Sequence, residues 1–266
     1  MKFIIILLLV LIGCGKKKEV KKYCTQTQES KYIFNGIDWV DANKNHNKYL
    51  IAQTIGLLFN VKQNKRCSSF LINKNTIITN HHCVSNDEDA ENVIVSFNYE
   101  RDTDDDDITF YQCDKFIGGD ENLDLAILEC SGDPGDKYGY VELDDSNVFK
   151  GDPIYVVHQN CHKEEDPSCS PDKKISPGTI SRIRYSSKDD IHNVFFDADI
   201  LPGSSGSAVF SKESNKVIAL TNKQYHYVKN DEVIPVYNGG VAMSDIIPFI
   251  QNNYPNVLLK SYPKCK

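Results

Sequence analysis

The sequence predicts an all-β fold, either a barrel or a sandwich, and three observations support this class. Short apolar runs recur along the chain with turn residues between them, as expected for successive β-strands. These runs do not alternate with helical segments at the spacing of βαβ units, which disfavours a parallel α/β sheet. A helical apolar face is convincing in one segment near the C terminus, which contains Ile246, Ile247, Phe249 and Ile250.

The apolar runs define the predicted strands. No internal repeat is visible, and 266 residues are enough for two small barrels. In chain order the predicted strands are Ile51–Phe59, Phe70–Ile72, Thr76–Thr79, Val93–Phe97, Ile108–Tyr111, Leu125–Leu128, Ile154–Val157, Thr179–Ile183, Val194–Asp197, Ala208–Phe210, Val217–Thr221, Val233–Val236 and Val241–Met243.

A serine and glycine string that begins at Gly203 has the composition of a catalytic turn. Ser205 precedes Gly206, and apolar runs lie on both sides of the string, so a turn between strands is favoured over a flexible linker. A serine hydroxyl is a weak nucleophile at neutral pH and needs an imidazole to take its proton, while that imidazole needs a carboxylate to orient it.

Candidates for both partners lie upstream. His82 follows an apolar run that reads as a strand and stands directly before Cys83. Asp124 stands directly before the apolar run Leu125–Leu128, which favours its burial. His81 is assigned no catalytic role.

These three segments, in the order His, Asp, Ser, resemble the chymotrypsin-like (trypsin-like) serine endopeptidases, and specifically their bacterial branch with a Gly-x-Ser-Gly-Ser motif. The resemblance implies two six-stranded antiparallel Greek-key β-barrels followed by a C-terminal helix. It assigns Ser205 as the nucleophile, His82 as the base and Asp124 as the group that orients His82. It also implies an oxyanion hole formed by the backbone N–H groups of Gly203 and Ser205, which a glycine backbone can shape.

The residues that govern activation and specificity can be compared with the trypsin pattern. Ser204 replaces the aspartate that receives the new N-terminal amine when animal members are activated, so that switch is expected to be absent. Asp199 matches the acidic floor of the trypsin pocket and would favour Lys or Arg in the substrate. Alternatively, Lys223 pairs with Asp199 and small or apolar residues are preferred. The remaining predicted pocket residues are Thr221, Gln224 and Gly240, and Thr221 replaces a histidine of glutamyl endopeptidases, which disfavours Glu.

The N-terminal segment predicts export. Met1-Lys2 is followed by an apolar run to Ile12 that is too short to span a membrane comfortably. Its end resembles a bacterial lipobox, which implies a signal peptide over residues 1–13, a lipidated Cys14 and a lysine-rich tether over 14–30. An uncleaved anchor or an ordinary signal peptide are the alternatives. The expected location is the bacterial cell envelope, either periplasmic or at the outer membrane or surface.

Cysteine usage agrees with an oxidising compartment, because lipidation of one of the nine cysteines leaves an even number. The resemblance implies a Cys67–Cys83 disulfide. The other pairs are guesses from proximity: Cys113 with Cys130, Cys161 with Cys169, and Cys24 with Cys265. The cysteines lack Cys-x-x-Cys spacing, and no metal or other cofactor is expected.

The expected protease domain spans residues 31–266, with a first barrel at about 31–135, a second at about 136–245 and a helix at about 245–253. A net charge of −7 argues against nucleic acid as a partner. The acidic run 102–107 is expected to be a solvated hairpin tip rather than a calcium site.

These features together predict a lipid-anchored, monomeric serine endopeptidase that acts on protein or peptide substrates. The alternative is a catalytically silent trypsin-fold envelope protein that serves as an adhesin or scaffold.

Overall fold

The computed structural model describes residues 37–159, 170–187, 190–229 and 232–259. The predicted signal peptide, Cys14 and the tether lie outside these residues, as do Cys24, Cys161, Cys169 and Cys265. In chain order the strands are β1 (Val40–Asp41), β2 (Ile55–Asn60), β3 (Lys65–Leu71), β4 (Thr76–Thr79), β5 (Val93–Ser96), β6 (Tyr111–Gln112), β7 (Lys115–Asp120), β8 (Leu125–Glu129), β9 (Pro153–His158), β10 (Lys174–Ser186), β11 (Ile191–Phe196), β12 (Ala208–Ser211), β13 (Val217–Lys229) and β14 (Glu232–Ala242).

The strands form two antiparallel sheets. The first sheet has the order β6-β5-β2-β3-β4-β8-β7 and is curled. The second has the order β1-β10-β11-β14-β13-β12-β9, and β9 also pairs with β10, so six of its strands close into a barrel. The short strand β1 adds to the edge of this barrel at Ile175 and Lys174.

Helices are few in the described residues. They are α1 (Tyr49–Ala52), α2 (Asp87–Ala90), α3 (Pro134–Tyr138), α4 (Met243–Asn253) and α5 (Pro255–Leu259). Helix α4 packs Ile246, Ile247 and Ile250 into the core, so the all-β class with a C-terminal helix is confirmed. Within the described residues, no helix is long and apolar enough to cross a membrane.

Strand β8 shows how the core is divided. Its residues Leu125 to Leu128 are all fully buried, and alternate side chains enter different clusters, as the two-residue period of a strand requires. Ala126 and Leu128 pack inside the first sheet. Leu125 and Ile127 instead pack into the core shared by both sheets and α4. Because β8 is buried on both faces, Asp124 at its start is held in a rigid frame.

A buried polar bridge also joins the sheets. The ammonium of Lys173, just before β10, donates to the carbonyl of Phe97 at 2.6 Å and lies 2.9 Å from the Glu100 carboxylate, both just after β5. Burial lowers the pKa of Lys173, and the Glu100 charge opposes that change.

Several predicted strands differ from the structure at their ends, as three examples show. In the run Ile51–Phe59, the first two residues lie in α1 and the strand begins at Ile55. Of the run Ile108–Tyr111, only Tyr111 lies in a strand. In the run Val241–Met243, Met243 is already the first residue of α4. The acidic run 102–107 lies between β5 and β6, and its aspartates are exposed.

Candidate active site

Two consecutive β-turns lie in the loop between β11 and β12 and carry Ser205. The first turn is closed by the N–H of Ser204, which donates to the carbonyl of Leu201 at 2.9 Å. The second is closed by the N–H of Ser207, which donates to the carbonyl of Ser204 at 3.0 Å. Ser205 is the second residue of the second turn and is half-buried. The string is therefore a hydrogen-bonded loop rather than a linker.

Glycine is required at the third position of both turns. The φ angles of Gly203 and Gly206 are +98° and +85°, and a type II turn needs a positive φ at this position. A Cβ on Gly206 would also lie 2.1 Å from the carbonyl oxygen of Ser68. Ser68 comes this close because its N–H donates to the Ser205 carbonyl at 2.7 Å. Strand β3 thus fixes the backbone of Ser205.

The segment that carries His82 is tied to the same strand. Cys67, next to Ser68 in β3, forms a disulfide with Cys83, which directly follows His82. The two sulfur atoms and a ring nitrogen of His82 lie within 4.8 Å of one another. These sulfurs are not thiolates, so the group does not offer the ligands of a zinc site. The disulfide at Cys67 holds the segment of His82, and the hydrogen bond of Ser68 holds Ser205. Because Cys67 and Ser68 are adjacent in β3, both segments are attached to the same part of that strand.

Asp124 orients the imidazole of His82. The carboxylate lies 2.8 Å from Nδ1 through Oδ2, and its Oδ1 accepts the backbone N–H of His82 at 2.9 Å. A carboxylate only accepts hydrogen bonds, so Nδ1 carries the proton and Nε2 is left as the basic nitrogen. The Asn80 side chain donates to the backbone carbonyl of Asp124 at 2.9 Å and so holds the backbone of that residue.

Among the hydrogen bonds of the residues that the structure describes, none joins the Ser205 hydroxyl to the ring of His82. Bonds between a nucleophile and its base are often long in enzymes without substrate and shorten when substrate binds. The structure therefore brings the three predicted residues onto adjoining segments and forms one of the two hydrogen bonds of a triad.

The backbone beside Ser205 offers two hydrogen-bond donors. Within the described part of the chain, the N–H groups of Gly203 and Ser205 donate to no protein acceptor. Both residues are half-buried. An oxyanion hole needs two backbone donors of this kind that bind no protein acceptor.

A comparison with protein families matches residues 67–220, more than half of the chain, to the trypsin-like peptidase domain. The chain belongs to the trypsin-like peptidase family. The matched range contains His82, Asp124 and Ser205. A search of curated protein sequences finds no match.

Two solved structures illustrate the similarity of fold. A Glu endopeptidase in complex with MPD has a TM-score of 0.63 and 18% identity, and the match covers 83% of this chain and 98% of that chain. Deg5 has a TM-score of 0.57 and 15% identity, with 81% of this chain and 94% of that chain covered. At this identity the likeness supports the fold alone.

A cleft of about 480 Å³ opens beside the histidine of this trypsin-like peptidase. The first sheet contributes His82 and Asp124, and the second contributes Asn193, Asn222 and Lys223. Lys223 is exposed, and its ammonium lies 5.6 Å from the ring centre of Tyr225. Among the ion pairs of the described residues, none joins Lys223 to Asp199, and the choice between basic and small or apolar substrate residues stays a prediction.

The other predicted pocket residues do not line this cleft. Asp199 is buried and its side chain hydrogen-bonds that of Asp38, whose carboxyl pKa is raised by burial. Thr221 joins β13 to the nucleophile loop, because its carbonyl accepts the Gly206 N–H at 3.0 Å. Gly240 lies in β14 and pairs with Thr221 of β13. Gln224 is half-buried further along β13.

Three residues near the site were not predicted from sequence. Asn80 supports Asp124, and Asn193 and Asn222 line the cleft. No motif marks them, since each reaches the site through strand pairing. His158 was also missed: it lies at the end of β9 and contacts Ser204 at 3.2 Å. An isolated histidine after an apolar run carried no signal of that contact.

Proposed function

We propose that the protein is a serine endopeptidase whose catalytic residues are Ser205, His82 and Asp124. The observation that carries this proposal is the hydrogen-bonded pair of His82 and Asp124, held by a disulfide to the strand that also binds the Ser205 backbone. Membership in the trypsin-like peptidase family supports it.

The proposed reaction begins when the Ser205 hydroxyl attacks the carbonyl carbon of a peptide bond. His82 Nε2 takes the hydroxyl proton and then gives it to the leaving amine, so that the C–N bond breaks and an acyl-enzyme forms. A water molecule then attacks the ester with His82 as the base again, which releases the acid and restores Ser205. Asp124 stays ionised and stabilises the imidazolium at each step.

The backbone N–H groups of Gly203 and Ser205 would bind the oxyanion of each tetrahedral intermediate. The two turns hold the backbone on either side of these N–H groups, which supports the proposal. One such donor typically contributes about 3 kcal/mol of transition-state stabilisation.

Peptide hydrolysis by matched serine variants tests the proposal. Ser205→Ala should abolish hydrolysis and leave the thermal midpoint nearly unchanged, because the side chain contributes chemistry rather than packing. Ser207→Ala, in the same pair of turns, is the control and should retain activity. A parent protein that cleaves no peptide in a diverse library would favour the catalytically silent envelope protein instead.

The proposal includes export and a lipid anchor at Cys14, supported by the apolar run that ends at Ile12 and by the charged tether that follows. The expected partners are the membrane, through acyl chains, and protein or peptide substrates. Mass spectrometry of the mature N terminus tests this part. An unmodified Cys14, or a mature chain that starts elsewhere, would remove the lipoprotein assignment without affecting the triad.

A further inference from the structure

A buried histidine lies directly behind the nucleophile loop. His158 ends β9 and is fully buried, as is Ser204 apart from 1% of its surface. Its Nδ1 lies 3.2 Å from the Ser204 hydroxyl, and its Nε2 lies 2.9 Å from the Ser176 hydroxyl on β10. The ring also hydrogen-bonds the backbone of Asp199. His158 therefore connects two barrel strands to the loop that carries the nucleophile.

The Ser204 hydroxyl links His158 to the first of the two turns. Its oxygen accepts the N–H of Leu201 at 3.1 Å, while the backbone N–H of Ser204 donates to the Leu201 carbonyl. Two hydrogen bonds between Leu201 and Ser204 therefore close the first turn. Gly203 and Ser205, the residues of the proposed oxyanion hole, flank Ser204 on either side.

The imidazole is neutral in the folded protein. Burial lowers the pKa of His158 to about 3, and the nearby charge of Lys174 acts in the same direction. A neutral ring has one N–H donor and one acceptor nitrogen, and here both nitrogens have partners. The contact with Ser204 is therefore a hydrogen bond between neutral groups, unlike the ion pair that the aspartate of animal relatives forms with a new N-terminal amine.

A strap formed by residues 37–42 covers the histidine from the other side. The Trp39 ring meets the His158 ring edge-on, with 6.3 Å between their centres. Within the strap, β1 pairs with β10, and the N–H of Ala42 donates to the Lys173 carbonyl at 2.8 Å. Asp38 in the same strap hydrogen-bonds Asp199. Residues 37–42 therefore pack behind the loop beside His158 and Asp199.

We propose that His158 is a positioning residue that holds the oxyanion loop in its working conformation through the Ser204 hydroxyl, with the strap as its cover. The loop is then competent without a freed N-terminal amine. This inference rests on the proposed function, since it assigns His158 a role in the same reaction.

Steady-state kinetics on variants of the full chain test the inference. His158→Phe keeps an aromatic ring but removes the hydrogen bonds, and it should lower kcat about 100-fold with a much smaller change in KM, the scale expected for a displaced oxyanion donor. His158→Gln keeps a donor and an acceptor and should recover most of the lost kcat. His192→Phe is the control: His192 hydrogen-bonds Asp245 on α4, and kcat should stay at the parental value.

The results separate the inference from the proposed function. A parent enzyme without hydrolysis overturns both. An active parent whose folded His158→Phe variant keeps its kcat overturns the inference alone. If kcat falls in His158→Phe and His158→Gln does not restore it, His158 has a packing role, and the inference is overturned. If His158→Phe fails to fold, Ser204→Ala replaces it, because that change removes only the hydroxyl and should lower kcat in the same way.

Discussion

The orientation of His82 depends on one residue with an unusual backbone conformation. Asp124 has a φ of +48°, in the left-handed region that most side chains avoid but aspartate tolerates. This conformation ends the turn after Glu121, whose carbonyl accepts the Asp124 N–H at 3.2 Å. It also lets one carboxylate reach both the ring and the backbone N–H of His82.

We expect Asp124→Asn to lower kcat by about 10⁴-fold, because an amide in this place favours the wrong tautomer of His82. Stability should change little, since asparagine also tolerates a positive φ. Asp120→Asn is the control, because Asp120 accepts only the nearby N–H of Leu123 and should leave kcat within a few-fold. Steady-state kinetics with thermal melts would show the difference. An Asp124→Asn variant as active as the control would contradict the assigned role.

The three residues of the proposed triad could be singled out from sequence because each lies in a short local pattern. Ser205 is flanked by turn residues, and Asp124 precedes a run buried on both faces. The cleft could not be predicted in this way. Asn193 and Asn222 lie on β11 and β13, which both pair with β14, so it is the non-sequential order of the strands that places them beside the same cleft.

At the scale of elements, strand length was underestimated wherever glycine or proline interrupts an apolar run. Strand β14 continues through Gly239 and Gly240, where the sequence suggests a break between two strands. The glycines are needed because a Cβ at residue 240 would lie 2.3 Å from the Leu220 carbonyl oxygen. Strand β10 similarly contains Pro177 and Gly178 and has a register shift near Ile180.

The nucleophile loop supplies a prediction at this scale. Gly206→Ala should destabilise the fold by at least about 2 kcal/mol, because the new Cβ meets the Ser68 carbonyl oxygen and the residue has a positive φ. Gly151→Ala is a matched control: its φ is +95°, but nothing lies within 4 Å of the added Cβ. It should cost roughly 1 kcal/mol from backbone strain alone. Urea unfolding would compare the two variants. An equal loss of unfolding free energy in both would contradict the predicted close contact.

For the whole molecule, the two sheets and the strap converge on buried polar groups whose ionisation is coupled to folding. The folded pKa of His158 is lowered from 6.5 to about 3 by burial and by Lys174. The free energy of unfolding is therefore highest, as far as this group is concerned, above pH 6.5. It decreases as the pH falls towards 3, because the unfolded chain takes up a proton that the folded chain excludes.

Between pH 7 and pH 5, this histidine alone should reduce the free energy of unfolding by about 2 kcal/mol. Urea titrations at both values would measure the change. In His158→Phe, the free energy of unfolding should fall less over this pH range, by that amount. The same pH dependence in the parent and in His158→Phe would contradict a neutral, buried imidazole.

The catalytic assignment is tested most directly by mapping where a fluorophosphonate probe attaches. Such a probe phosphonylates only a serine activated by a base, so mass spectrometry of the labelled protein identifies the nucleophile itself. We expect a single adduct on the peptide that contains Ser205, and its loss in a folded His82→Ala variant. An adduct on another serine, or an unlabelled parent protein, would contradict the assignment.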